Sequence, residues 1–195
     1  MSDPPARRDT DPLVIPRAPG TLRLAIERHW NGAPSRDPRL RGELVLSART
    51  EGLAVEAALP HQQPARMPAA PAGSRVASLW EYDVVECFLV GADGGYVEVE
   101  LGAGGHFLVL EFSAPRRLAD AHEGLAPALE FVRSDSGWRS TLVLPWPLVP
   151  RELRALGAFA IAGGAFLAAH PLPGAAPDFH QPDAYPRARL AARGG

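Results

Sequence analysis

Residues 82–113 read YDVVECFLVGADGGYVEVELGAGGHFLVLEFS, three apolar-rich runs separated by two glycine clusters. The runs Tyr82 to Val90, Tyr96 to Leu101 and His106 to Ser113 have the length of strands and are rich in β-branched and aromatic side chains. Gly91-Ala92-Asp93-Gly94-Gly95 and Gly102-Ala103-Gly104-Gly105 supply the positive-φ residues that tight turns require. The stretch predicts a meander of three antiparallel strands.

Turn length sets register. A turn over Gly91 to Gly95 places Val90 opposite Tyr96, Phe88 opposite Glu98, Cys87 opposite Val99 and Glu86 opposite Glu100. A turn over Gly102 to Gly105 places Leu101 opposite His106, Val99 opposite Leu108 and Val97 opposite Leu110. One face then collects Val85, Cys87, Leu89, Val97, Val99, Leu101, Leu108 and Leu110, a core. The other collects Tyr82, Phe88, Tyr96 and Phe107 with Glu86, Glu98, Glu100 and Glu111.

Like charges directly opposite one another destabilise a sheet, so Glu86 and Glu100 need compensation. Two readings follow. Arginines from neighbouring strands, with Arg23, Arg28, Arg133 and Arg139 as candidates, would form a structural ion network. Alternatively a ligand, in the form of sugar or polyol hydroxyls, an amine or a cation, is held by the carboxylates against aromatic rings.

Outward from the meander the same period continues. Leu22, Leu24 and Ile26 alternate with polar or small residues up to the Asn31-Gly32 turn, and Leu44 to Ala48 and Leu53 to Leu59 flank Thr50-Glu51-Gly52 as a hairpin. Pro60 to Gly73 reads as an irregular loop. Ala128 to Arg133 and Trp138 to Leu144 flank Ser134 to Gly137 as another hairpin, and Leu148 to Leu156 has room for one short helix at most. Ala158 to Ile161 and Phe166 to His170 follow as strands, and Pro171 to Pro186 closes as an extended segment. The expected architecture is all-β, an antiparallel β-sandwich of nine or ten strands with jelly-roll character. The expected organisation is a disordered tail over residues 1–20, one domain over 21–186 and a flexible C-terminus over 187–195.

Composition narrows the chemistry. The chain has 195 residues, 46% of them hydrophobic, a formal charge of −2, and 20 basic residues that are all arginine. Without lysine, Schiff-base catalysis and the phosphate-loop lysine are excluded. Scattered arginines and near-zero net charge argue against a nucleic-acid partner. No apolar run approaches the roughly 18 residues of a membrane helix, so no membrane partner is expected. The single cysteine, Cys87, forms no internal disulfide, which fits a cytoplasmic location. Cys87 itself falls on the core face, where it is inert.

Other residues carry weaker signals. Trp80 and Tyr82 bracket Glu81 at the entrance to the meander, where Trp80 either stacks on a ligand ring or plugs the sandwich. Trp146, between Pro145 and Pro147, locks a turn. Asp178 and His180 lie two apart in an extended segment and share a side, as an acid/base pair or as two metal ligands that still need a third. His29, His61 and His122 sit near turns and read as solvent-exposed. There is no Gly-x-Ser-x-Gly elbow, and no motif implies a cofactor.

Leu79-Trp80-Glu81-Tyr82-Asp83-Val84-Val85-Glu86-Cys87-Phe88-Leu89, with Tyr96 to Leu101, Gly105 to Leu110, Leu144-Pro145-Trp146 and Pro177-Asp178-Phe179-His180, resembles an uncharacterised protein family with a DOMON-like sandwich fold. The Trp-x-x-Asp-x-Val-Glu-x-Phe and Pro-Trp elements are also similar to those of family 9 carbohydrate-binding modules, whose members bind sugars without cleaving them. This resemblance implies a non-catalytic, carbohydrate-binding-like module taking a small saccharide or polyhydroxylated metabolite. The expected ligand-binding residues are Trp80, Tyr82, Glu86, Glu98, Glu100, Asp178 and His180. The rivals are an enzyme that uses two of the carboxylates as acid and base on a sugar-like metabolite, and a protein-interaction scaffold.

Overall fold

The structure is a computed structural model and describes residues 11–62 and 64–192. In chain order the strands are β1 (Leu13–Ile15), β2 (Leu22–Ile26), β3 (Arg28–His29), β4 (Gly42–Ala48), β5 (Gly52–Pro60), β6 (Val84–Gly91) and β7 (Tyr96–Gly102). Then come β8 (Phe107–Ala114), β9 (Arg117–Asp120), β10 (Ala128–Arg133), β11 (Gly137–Pro145), β12 (Leu153–Ala162), β13 (Ala165–Ala168) and β14 (Ala188–Leu190). Four three-residue 3-10 turns are the only helical elements among the described residues. No helix there is long and apolar enough to cross a membrane.

A five-stranded sheet in the order β10-β11-β5-β4-β2 faces a seven-stranded sheet in the order β3-β13-β12-β6-β7-β8-β9, and neighbouring strands in both are antiparallel. Leu44, Leu46, Val55 and Leu142 from the first meet Val85, Cys87, Val99 and Leu101 from the second in one continuous core. The sequence expectation of an all-β sandwich is met at that level, with fourteen strands in place of nine or ten. The additional strands are two to four residues long, too short for a period to register. Leu153 to Leu156, read as room for a helix, begins the ten-residue β12. Leu153, Ala155 and Leu156 are buried there in sheet pairing with β6, which overrides local propensity.

β1 and β14 pair in parallel as a separate two-stranded ribbon, with Leu13 opposite Ala188 and Ile15 opposite Leu190. Both strands fall in segments read as a disordered tail and a flexible C-terminus. Leu13 and Ile15 are almost fully buried, and two short segments at opposite ends of a chain reveal such pairing only in three dimensions. Residues 1–10 of the expected tail lie outside the described residues.

The meander contains one correction. β6 and β7 pair as the turn length implies, with Glu86 opposite Glu100 and Phe88 opposite Glu98. β7 and β8 are shifted by one residue, with Leu101 opposite Phe107 and Val99 opposite Val109. Phe107 and Val109 therefore enter the core, while Leu108, Leu110 and Phe112 take the outer face. The two turns are in fact alike. Gly91 N–H bonds to the Gly95 carbonyl and Gly102 N–H to the His106 carbonyl, with Gly94 (φ +88°) and Gly105 (φ +78°) at the left-handed position of each. A three-residue loop ending in a left-handed glycine absorbs His106 into the turn, and every β8 side chain changes face.

His106 is buried and its Nε2 lies 2.7 Å from the Ala70 carbonyl oxygen, which ties down the loop after β5. Buried Asp83 ties it a second time. Its carboxylate accepts the Arg66 and Gly163 backbone N–H groups at 2.9 and 2.8 Å.

Gly94 and Gly105 share a backbone conformation but not surroundings. A Cβ on Gly94 would meet nothing within 4 Å, whereas one on Gly105 would lie 2.7 Å from the Phe131 ring. Gly94→Ala should cost about 1–2 kcal/mol from the left-handed backbone alone. Gly105→Ala should cost measurably more, and equal losses in urea unfolding of the two variants would refute this account of the turns.

Candidate functional site

Glu86 on β6 and Glu98 and Glu100 on β7 share the outer face of the seven-stranded sheet, because residues two apart on a strand point the same way. Their exposures are 2%, 3% and 0%. The cover is the segment from Pro171 to Pro186. Leu172, Phe179 and Tyr185 pack there with Phe88 and Phe159 in a second apolar layer, Phe179 stacking on Phe159 at 4.5 Å. Local polar contacts shape the cover. The Tyr185 hydroxyl donates to the Phe179 carbonyl, Gln181 Nε2 to those of Pro173 and Asp178, and Asp178 Oδ1 accepts the His180 N–H at 2.9 Å.

The cover swings His180 over the carboxyls. The Tyr96 hydroxyl accepts the Arg116 backbone N–H at 3.1 Å and shares a hydrogen bond of 2.8 Å with His180 Nδ1. The other imidazole nitrogen, Nε2, stands 4.0 Å from Glu98 Oε2. Arg116 Nη2 also donates to Asp178 Oδ1 at 2.7 Å, which anchors the cover to the β8–β9 turn.

Burial dominates the titration of this group. It raises Glu86 well above the usual carboxylate range, and Glu98 nearby adds to the shift. It raises Glu100 likewise, with Glu86 and Glu98 adding and the Trp80 N–H opposing without reaching hydrogen-bond geometry. It raises Glu98 to about 8 against the opposing Arg116 charge. Burial lowers His180 to about 4, with Arg116 assisting and Asp178 opposing. At neutral pH the interior of the site is therefore uncharged: protonated carboxyls beside a neutral imidazole. Glu86 Oε1, Glu98 Oε2 and both Glu100 carboxyl oxygens have no hydrogen-bond partner. Buried polar atoms are normally satisfied, so the four leave hydrogen-bonding capacity unmet, and of these residues Glu86 and Glu98 border the cavity overlying the group.

Above them lies a cavity of about 320 Å³, walled on the polar side by Glu86, Glu98 and His180 and on the apolar side by Phe112 and Phe166. Trp80, 44% exposed, stands at its rim, and Asp178 and Arg116 also border it. Five of the seven residues expected from sequence thus reach one cavity. Tyr82 does not border it and packs against the second apolar layer, and Glu100 lies beneath the surface.

The ion-network reading of the glutamates is corrected. Arg23 pairs with Glu43, Arg139 with Glu56, Arg133 reaches the Met67 sulfur, and Arg28 lies on β3, separated from β6 by β13 and β12, so none of the four serves Glu86 or Glu100. Protonation replaces the missing cation. Among the described residues no three His, Cys, Asp or Glu side chains converge to hold a metal ion. His122, read as exposed, is wedged between Glu111 at 3.2 Å and Asp120 at 3.6 Å with a side chain 12% exposed.

Sequence reasoning missed Phe112, Phe166 and Arg116 as site residues. Phe112 was assigned no place because the β8 register was shifted. Arg116 sits in a turn at φ +58° and carries no local signal at all.

No protein-family model matches the chain. The rat UPF0462 protein C4orf33 homolog is 31% identical over 169 residues, spanning 80% of this chain and 82% of that protein. The human UPF0462 protein C4orf33 is 28% identical over 166 residues, spanning 80% and 81%. Two solved structures share the fold. A proposed carbohydrate-binding protein from Bacteroides uniformis aligns with TM-score 0.65 at 15% identity, covering 87% of this chain and 86% of that one. A family 9 carbohydrate-binding module from Caldicellulosiruptor kristjanssonii, in complex with cellotriose, aligns with TM-score 0.57 at 10% identity, covering 94% and 95%. The likeness to these two structures is one of fold.

Raised carboxyl pKa values mean that the folded state binds more protons than the unfolded one between about pH 4.5 and 8. Their contribution to stability is complete below the unfolded value and lost as pH rises through the folded one. His180 has the opposite sign, its contribution falling only as pH drops below about 6.5 toward 4. Stability should therefore decline from pH 6.5 to 8.5, on the order of 1 kcal/mol per pH unit for each carboxyl still protonated. Glu98→Gln should flatten that slope in pH-dependent urea melts. A slope unchanged by the substitution would refute the assignment.

Proposed function

The chain belongs to the UPF0462 family, and we propose that it is a non-catalytic binding module for a small saccharide or other polyhydroxylated metabolite, held in the Glu86/Glu98/His180 cavity. One observation carries this reading. His180 Nε2 and Glu98 Oε2 stand 4.0 Å apart, beyond hydrogen-bond reach of each other, a spacing at which one hydroxyl set off the line between them would lie within hydrogen-bond distance of both. The unpartnered Glu86 Oε1 offers a further contact beside it. Protonated carboxyls both donate and accept, which suits hydroxyls better than an anion or an isolated apolar body.

The apolar wall supports the same ligand class. Sugar rings present C–H faces to aromatic side chains, and Trp80 and Phe166 are the large exposed ones at this cavity. A volume of about 320 Å³ falls at the small end of ligand pockets, which favours one or two sugar units over a polymer. The cellotriose held by the Caldicellulosiruptor module supports a saccharide as the first class to try.

A second reading has its own observation. The hydrogen-bonded series from the Arg116 N–H through Tyr96 to His180, facing a carboxyl raised to about 8, resembles a proton-handling arrangement. On that reading the module is an enzyme that uses Glu98 as general acid on the same polyhydroxylated guest. Product formation observed by NMR separates the two.

A thermal-shift panel of mono- and disaccharides and polyols tests the proposal. A specific ligand at 100 times its dissociation constant should stabilise the protein by about 2.7 kcal/mol. Trp80→Ala, at the exposed rim, should leave the unliganded midpoint nearly unchanged and weaken binding at least tenfold, and Glu98→Leu should abolish it. If no compound in the panel moves the midpoint, the saccharide reading is wrong.

A further inference from the structure

A second cavity, of about 560 Å³, shares no lining residue with the first. Arg17, Arg49 and Arg151 border it, together with Trp146, Val149 and Leu190. We infer that this cavity is a binding site for a small molecule carrying carboxylate or phosphate groups, gripped by the three guanidinium groups and packed against Trp146.

The three arginines come from distant parts of the chain: the segment after β1, the β4–β5 turn and the β11–β12 connection. Folding therefore assembles a positive cluster that no stretch of sequence displays. Arg23, Arg39, Arg116, Arg139 and Arg154 each have a carboxylate within 4.0 Å, whereas among the described residues Arg17, Arg49 and Arg151 have none. Among the described residues no Asp or Glu borders the cavity. Glu51 and Glu152, chain neighbours of Arg49 and Arg151, do not border it, and Arg151 also borders two adjoining depressions that carry Asp93, Glu111 and Glu152. The three arginines are exposed, and their convergence on one concavity suits an anion because guanidinium groups match carboxylate and phosphate oxygens in pairs.

The frame that carries them is fixed by backbone pairing. The Ala48 N–H bonds to the Pro16 carbonyl at 2.8 Å, the Ala18 N–H to the Ala48 carbonyl at 2.9 Å, and the Ala191 N–H to the Ile15 carbonyl at 2.9 Å. Trp146 Nε1 donates to the Thr50 carbonyl at 3.0 Å, which holds the indole and leaves its carbon surface for the guest. A site mounted on paired strands and a tethered indole is pre-organised. A chain of net charge −2 in which three arginines converge on one concavity fits a small anion rather than a nucleic acid.

Isothermal titration of the full chain with inorganic phosphate, glucose 6-phosphate, glucuronate and neutral glucose tests this. Glucose 6-phosphate and glucuronate separate a phosphate guest from a carboxylate one. In the Glu98→Leu chain, whose saccharide site is removed, at least one of the three anions should bind at least tenfold tighter than glucose. The double variant Arg49→Gln/Arg151→Gln should lose that binding while its unliganded melting temperature stays level or rises, since crowded like charges are relieved. Glu98→Leu should bind the anion as the parent does, so failure of the saccharide site and failure of this one are distinguishable. The inference is overturned if no anion exceeds glucose in the Glu98→Leu chain, if the double variant binds unchanged, or if a single-stranded oligonucleotide outcompetes every small anion.

Discussion

Two carboxyl side chains, Glu86 and Glu100, stand directly opposite one another inside this protein with no cation beside them. In charged form they would repel each other in a medium of low dielectric constant, and the sheet would not close. The fold is tolerable because burial itself keeps them protonated, with Glu98 to a lesser extent in the same state. Everything on the outer face of the seven-stranded sheet follows from that condition.

The condition is met by the cover. An antiparallel sheet commonly leaves one face to water, which would let the carboxyls ionise. Here Leu172, Phe179 and Tyr185 seal that face against Phe88 and Phe159, and the same segment brings His180 to Tyr96. Exclusion of water and delivery of the imidazole are thus one structural event. The resulting pocket is neutral in its depths and charged at its lip, where Arg116 meets Asp178. Such a polarity profile suits a guest that is rich in hydroxyls and carries no charge of its own. The arginine-bordered cavity has the reverse character, cationic at its border, so the two ligands proposed differ in charge.

Legibility varied with the range of the interactions involved. The pairing of β6 with β7, and with it the clustering of Glu86, Glu98 and Glu100, was readable because a single short turn sets it. The β8 register was not, since two glycine clusters of different appearance form the same three-residue turn and only the buried His106 betrays it. Asp178 and His180 could be singled out by spacing, but their meeting with Glu98, some eighty residues away in sequence, could not be seen. The arginines proposed as counter-ions were a reasonable electrostatic guess that failed because protonation offered the sheet a cheaper route to neutrality.

Alternation and glycine turns alone determined that the chain is a sandwich of antiparallel strands, that its central strands carry three glutamates on one face, and that Cys87 points into the core. These are period-two and turn-length properties, expressed over a few residues each. Tertiary structure alone decided that the glutamate face is roofed, that His180 and Arg116 reach it, that the chain ends pair as a ribbon, and that Arg17, Arg49 and Arg151 surround one cavity. Each of those depends on contacts between segments far apart in sequence, and such contacts leave no periodic trace in either partner.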